Sequence, residues 1–332
     1  MFWSRARNVL TFLFTACLAS LLLSTYAPRP RLEDYTNRLT AFEDDSEGFD
    51  VIAIGSSRVM RGFVPEVFDE AMSAGGQALR SFNFGLPASG AHEWVELLPE
   101  VITRSKRPLK WVIIELNPKD RLTVDQALTD RMTHWHSVAG TAHILQSISN
   151  DRLSEEARHD QYLEHLRFAW IRNFSVGRGP EWLAGLAGRT PALAPVGEAG
   201  WVKFDPTEPN IRERRADFLS KRAAFSGRIG RARAGKENLP TVPLLPELVS
   251  HQVRVAEAAG ARVAFIVMPP FSNSPSFEGE EQVTLLEYND AHRYPELFVF
   301  ENFHDRQHLS SQGAKAFTRL LAADLLKLGG DN

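Results

Sequence analysis

The run Asp50-Val51-Ile52-Ala53-Ile54-Gly55 constrains this chain more than any other feature. It is too short for a buried helix and lacks the alternation of a strand wet on one face. Such a run suits a central strand of a parallel sheet covered on both sides. Comparable strands are predicted at 79–85, at 110–116 around Trp111, Val112, Ile113 and Ile114, and at 262–268 before Pro269-Pro270, with a short one at 297–300. Helices are predicted between and after them, at 65–74, 91–104, 243–259 and 310–328. Strand and helix alternating in this way predicts an α/β fold with right-handed crossovers.

The pattern breaks between Asp120 and about Pro240. Amphipathic helical stretches around 123–148 and 154–168 are followed by a Gly/Pro-rich segment at 177–200. A chain of 332 residues suggests roughly two domains. Here the second is predicted to be a mostly helical insertion at 119–239, inside a core made of 48–118 and 240–330. Nine basic residues lie between Arg212 and Lys236. Their simplest reading is a solvated helix face, and their functional one a contact with anionic polysaccharide or lipid headgroups.

The first 27 residues are of a different kind. Arg5 and Arg7 precede an apolar stretch from Val9 to Leu23, with no acidic residue before Glu33. That is the form of an export signal, either cleaved as a signal peptide or retained as a signal anchor, and it predicts a body outside the cytoplasm, facing the periplasm or extracellular side. Residues 28–47, with Pro28, Pro30, Asp44, Asp45 and Glu47, are predicted to form a polar stalk. The one cysteine, Cys17, falls in the apolar stretch, so intramolecular disulfides and Cys-based metal centres are excluded. A net charge of −3 gives no support for a nucleic-acid partner. His134, His136 and His143 lack a carboxylate at a familiar ligand spacing and are expected to pack rather than bind metal.

In open α/β sheets, ligands meet the carboxyl ends of the strands. The first predicted strand ends in Gly55-Ser56-Ser57-Arg58. A serine at a strand-to-helix turn can expose its hydroxyl to a cleft as a nucleophile, or simply cap the helix. A base is offered by Asp305-Arg306-Gln307-His308, just before the last helix. Three residues apart on a tight loop, the carboxylate can hold one imidazole nitrogen while the other takes a proton from serine.

Together these two blocks resemble the SGNH, or GDSL-like, hydrolase family, which pairs Gly-Asp-Ser after the first strand with Asp-x-x-His before the terminal helix. Ser56 stands where that family usually has Asp. Gly-Ser-Ser is similar to the membrane-anchored branch that includes alginate acetylation proteins and the D-alanine transfer protein of teichoic acids. The resemblance implies a flavodoxin-like three-layer parallel sheet, with Ser57 as nucleophile, His308 as base, Asp305 as its orienter and His304 in support. It implies an oxyanion hole built from the Ser57 N–H, an N–H from Ala88 or Gly90 in the block that starts at Asn83, and Asn117 in Asn117-Pro118, which is otherwise a turn. Ser56 and Arg58 become candidates for substrate contact, and Glu115 a buried carboxylate of unassigned role.

The function so implied is serine acyl transfer without cofactor or metal, as an O-acetyl esterase or O-acetyltransferase on cell-envelope or exopolysaccharide glycans. The expected partners are the acylated glycan, a membrane-bound acyl donor protein, and the membrane through the N-terminal segment. The rival expectation is a non-catalytic glycan-binding or scaffold protein of an acetylation complex.

Overall fold

The computed structural model describes residues 2–26, 32–116, 131, 134–149, 154–174, 183, 187, 196–236, 241–243, 246–270, 274–276 and 283–329. The chain divides into two compact units, 1–36 with 122–194 and 37–121 with 195–332.

The first unit is helical where it is described. Helix Phe2–Tyr26 carries Val9, Leu10, Phe12 and Phe14 exposed. Among the described residues no helix is long and apolar enough to cross a membrane. Helices Val138–Ser149 and Glu155–Asn173 pack together, the latter started by Ser154, whose hydroxyl accepts the Ala157 N–H. His134 and His136 are buried, and His136 Nε2 lies 2.8 Å from His165 Nδ1. Residues 117–130, which include Asn117 and the start of the predicted 123–148 helix, lie outside the described residues.

The second unit is built on a five-stranded, all-parallel sheet of β1 (Val51–Gly55), β2 (Ser81–Gly85), β3 (Trp111–Glu115), β4 (Arg262–Val267) and β5 (Thr284–Glu287). The spatial order is β2-β1-β3-β4-β5, that of flavodoxin-like doubly wound sheets. Every residue of β1, β2 and β3 is buried, which requires cover on both faces. Helix Ser311–Gly329 packs with both Ser57–Gly62 and Pro65–Ala74, and Ala91–Arg104 packs with Pro246–Ala258. Gly55 pairs with Gly85 and Ile54 with Ile114, so Gly55, Gly85 and Glu115 end level at the carboxyl edge.

Three expectations are corrected. The fifth strand is Thr284–Glu287, not 297–300. Leu297 and Phe298 are fully buried, but they enter the core from a turn leading into the short 3₁₀ turn Phe300–Asn302, so their apolar character reflects packing rather than sheet pairing. The stretch predicted as a stalk contains helix Glu33–Asp44, which buries Leu39 and Phe42. Phe42 meets the rings of Phe49, Phe82 and Phe84 at 5.1–5.4 Å, so this stretch lies against the sheet's own aromatics. Finally, residues 195–236, predicted within the insertion, belong to the second unit, because Trp201, Phe218, Phe225 and Ile229 bury in the same core as the strands.

Candidate active site

The turn after β1 is shaped by its neighbours. Ser56 has extended backbone (φ −80°, ψ −167°), and its hydroxyl accepts the Arg58 N–H at 3.2 Å, so Ser56 is the cap of helix Ser57–Gly62. Capping is therefore done by Ser56, and Ser57, the first helical residue, keeps its hydroxyl available. A Cβ on Gly85 would lie 2.2 Å from the Met60 nitrogen, so only glycine lets this helix rest on the end of β2.

Asn83 then fastens the helix from below. Fully buried, its Nδ2 donates to the carbonyls of Val59 (2.9 Å) and Phe63 (2.7 Å), and its Oδ1 accepts the Gly85 N–H. The Val59 carbonyl also accepts the Phe63 N–H, whereas the Phe63 carbonyl lies just past the helix end, where no helical N–H follows to meet it. Replacing Asn83 by alanine should cost about 2–3 kcal/mol, because the Phe63 carbonyl loses its side-chain donor and the Gly85 N–H its side-chain acceptor. A lowered denaturation midpoint with an unchanged slope would show it.

The second half of the site is a closed loop. The short 3₁₀ turn Phe300–Asn302 leads into a bridge pairing Phe303 with Leu309, and the His304 N–H donates to the His308 carbonyl at 2.9 Å. Within it, Asp305 Oδ1 accepts the backbone N–H groups of Gln307 (2.7 Å) and His308 (2.9 Å). The loop is held from outside by Arg215 of helix Pro209–Ser220, which donates to the carbonyls of Phe303 (2.7 Å) and His304 (2.9 Å). The His304 ring stacks on Phe204 at 3.8 Å, and Phe204 presents its edge to His308 at 5.7 Å. Part of the basic segment thus builds the site rather than only facing solvent.

The two halves meet. Ser57 Oγ lies 2.9 Å from His308 Nε2, and both Asp305 oxygens lie 3.0 Å from His308 Nδ1. Burial pushes the Asp305 carboxyl up, but the hydrogen bond and charge of His308, with the two backbone N–H groups, outweigh it and hold the carboxyl below its ordinary value. An ionised carboxylate only accepts, so Nδ1 carries a proton, and in the neutral ring Nε2 presents its lone pair to the Ser57 hydroxyl. His304 is pushed below the ordinary histidine value by burial.

The other predicted residues are placed as follows. The loop after β2 is tied to the Gly55 carbonyl by the Leu86 N–H and the Ser89 hydroxyl, both at 2.8 Å. Ala88 sits exposed in this loop with φ 50°, a left-handed conformation costing about 1–2 kcal/mol for a residue with a Cβ. Gly90 precedes the first turn of helix Ala91–Arg104 as its cap. Arg58, a candidate for substrate contact, has its guanidinium Nη2 2.7 Å from Glu115 Oε1. Sequence reasoning did not find Phe204 or Arg215, which it left in the insertion, nor the clamp made by the Asn83 side chain. The chain matches no model of a known protein family and no curated protein sequence.

Proposed function

We propose that this protein is a serine acyl-transfer enzyme of the SGNH type, an O-acetyl esterase or O-acetyltransferase working outside the cytoplasm on cell-envelope or exopolysaccharide glycans. The observation that carries the reading is the continuous Ser57–His308–Asp305 hydrogen-bonded chain, in which the Asp305 carboxylate faces His308 Nδ1 and Ser57 Oγ faces Nε2. Support comes also from its position at the carboxyl ends of the strands, where the 2-1-3-4-5 sheet order places ligands. Arg5, Arg7 and the apolar stretch after them support export.

In this mechanism His308 Nε2 takes the Ser57 proton as Oγ bonds to the ester carbonyl carbon. The resulting oxyanion is met by the Ser57 N–H and by an N–H of the 86–90 loop, from Ala88 or Gly90. Collapse breaks the bond to the leaving alkoxide, which receives the proton from His308 and departs as an alcohol, leaving an acyl ester on Ser57. Water or a sugar hydroxyl then gives its proton to His308 and attacks that ester. Collapse then breaks the acyl carbon–Oγ bond, and His308 returns its proton to Oγ, so that a free acid or a new glycan ester leaves and Ser57 is regenerated.

The reading is tested by incubating the protein with an O-acetylated polysaccharide and following acetyl groups by mass spectrometry. Release as acetate identifies an esterase, and transfer to an added acceptor glycan a transferase. If no acetyl group moves from any glycan or simple aryl ester, the proposal fails.

A further inference from the structure

Directly beneath the nucleophile turn lies a carboxylate that the mechanism above does not use. Glu115 closes β3 and is fully buried. Its Oε2 accepts the backbone N–H of Ser56 at 2.6 Å, and its Oε1 lies 2.7 Å from Arg58 Nη2, a charge contact without hydrogen-bond alignment. The two oxygens therefore hold the residues immediately before and immediately after Ser57. Gly55 makes room for this reach, since a Cβ there would lie 2.6 Å from Glu115 Oε2 and 2.8 Å from its Cβ. The register explains the placement, because Glu115 follows Ile114, which pairs with Ile54.

We infer that Glu115 is a positioning residue for Ser57, clamping the flanking Ser56 and Arg58 so that Oγ stays within reach of His308. This inference rests on the acyl-transfer reading. A carboxylate out of water is costly unless charge and hydrogen bonds compensate it, and here the compensation comes from the two residues whose placement aims the nucleophile. The clamp also draws the Ser56 N–H and the Arg58 charge down toward β3. In this reading the Ser57 N–H serves the oxyanion. Placing Oγ matters because a displacement of about 1 Å from productive geometry costs on the order of 10²-fold in rate.

The test uses the full chain, with p-nitrophenyl acetate turnover and the rate of modification by a fluorophosphonate. Wild type and Ser57→Ala are compared first. If wild type shows neither turnover nor modification, the acyl-transfer reading itself fails. Given an active wild type, Glu115→Gln keeps an acceptor for the Ser56 N–H but loses the charge facing Arg58, and Glu115→Asp keeps the charge but is one methylene too short to hold both partners. Each should lower kcat and the modification rate by about 10–100-fold, with KM within about threefold, when rates are expressed per folded, titratable site. A merely structural role would lower the melting temperature and leave kcat per folded molecule unchanged. That result in whichever variants fold, kcat within about twofold of wild type, would overturn the inference.

Discussion

Replacing Ser57 with alanine is expected to lower ester turnover by about 10⁴–10⁶-fold, the loss that follows removal of a nucleophile acting as a unit with its base. The substitution should leave the fold in place. Ser57 is half-buried at the first helical position, and the cap of that helix is the Ser56 hydroxyl, so Ser57→Ala removes no capping interaction. Stability should stay within about 0.5 kcal/mol of wild type. Ser56→Ala gives the opposite signature. Losing the cap should cost about 1 kcal/mol in stability, while turnover changes far less than in Ser57→Ala. Steady-state kinetics and thermal denaturation of the two variants, side by side, assign the nucleophile between adjacent serines.

Asp305→Asn should be nearly as damaging, with kcat falling about 10⁴-fold, as when a triad carboxylate becomes an amide. The cause is the tautomer. Both Asp305 oxygens now face the Nδ1–H of His308. An amide can turn its NH₂ toward Nδ1, moving the ring proton to Nε2, where the Ser57 hydroxyl needs an acceptor. The loop itself should survive, because the amide oxygen can still accept from the N–H groups of Gln307 and His308, and Arg215 still holds the Phe303 and His304 carbonyls. A collapse in kcat with KM and melting temperature close to wild type is the expected pattern. The same loss in an unfolded variant would speak only of stability.

Much of this architecture is legible in the chain because the elements around the site obey local rules. β1, β3 and β4 are apolar runs whose length and flanks admit a buried parallel strand, and helices at 65–74 and 91–104 carry a clear periodic face. Asp305 and His308 are legible because a three-residue spacing can be closed by backbone alone, as the two N–H bonds to Asp305 show.

What escapes local reading depends on distant partners. Thr284–Glu287 is a short edge strand whose pairing with β4 is decided by the sheet, whereas 297–300 is more apolar because it fills the core. Arg215 lies 88 and 89 positions before the two residues it holds, Phe204 lies farther back still, and no periodicity links either to His304. Glu115 reads from sequence as a buried carboxylate at a strand end, with no role assigned. Its contacts become visible once the register sets it beside Gly55, where Ser56 and Arg58 converge on it.

The most direct test of the central claim is to treat the full chain with a fluorophosphonate and map the adduct by mass spectrometry. A single adduct on Ser57, lost in His308→Ala, is the predicted result, because only a serine activated by the Nε2 lone pair reacts at an appreciable rate. No adduct, or an adduct on Ser56 or another serine, would contradict the account.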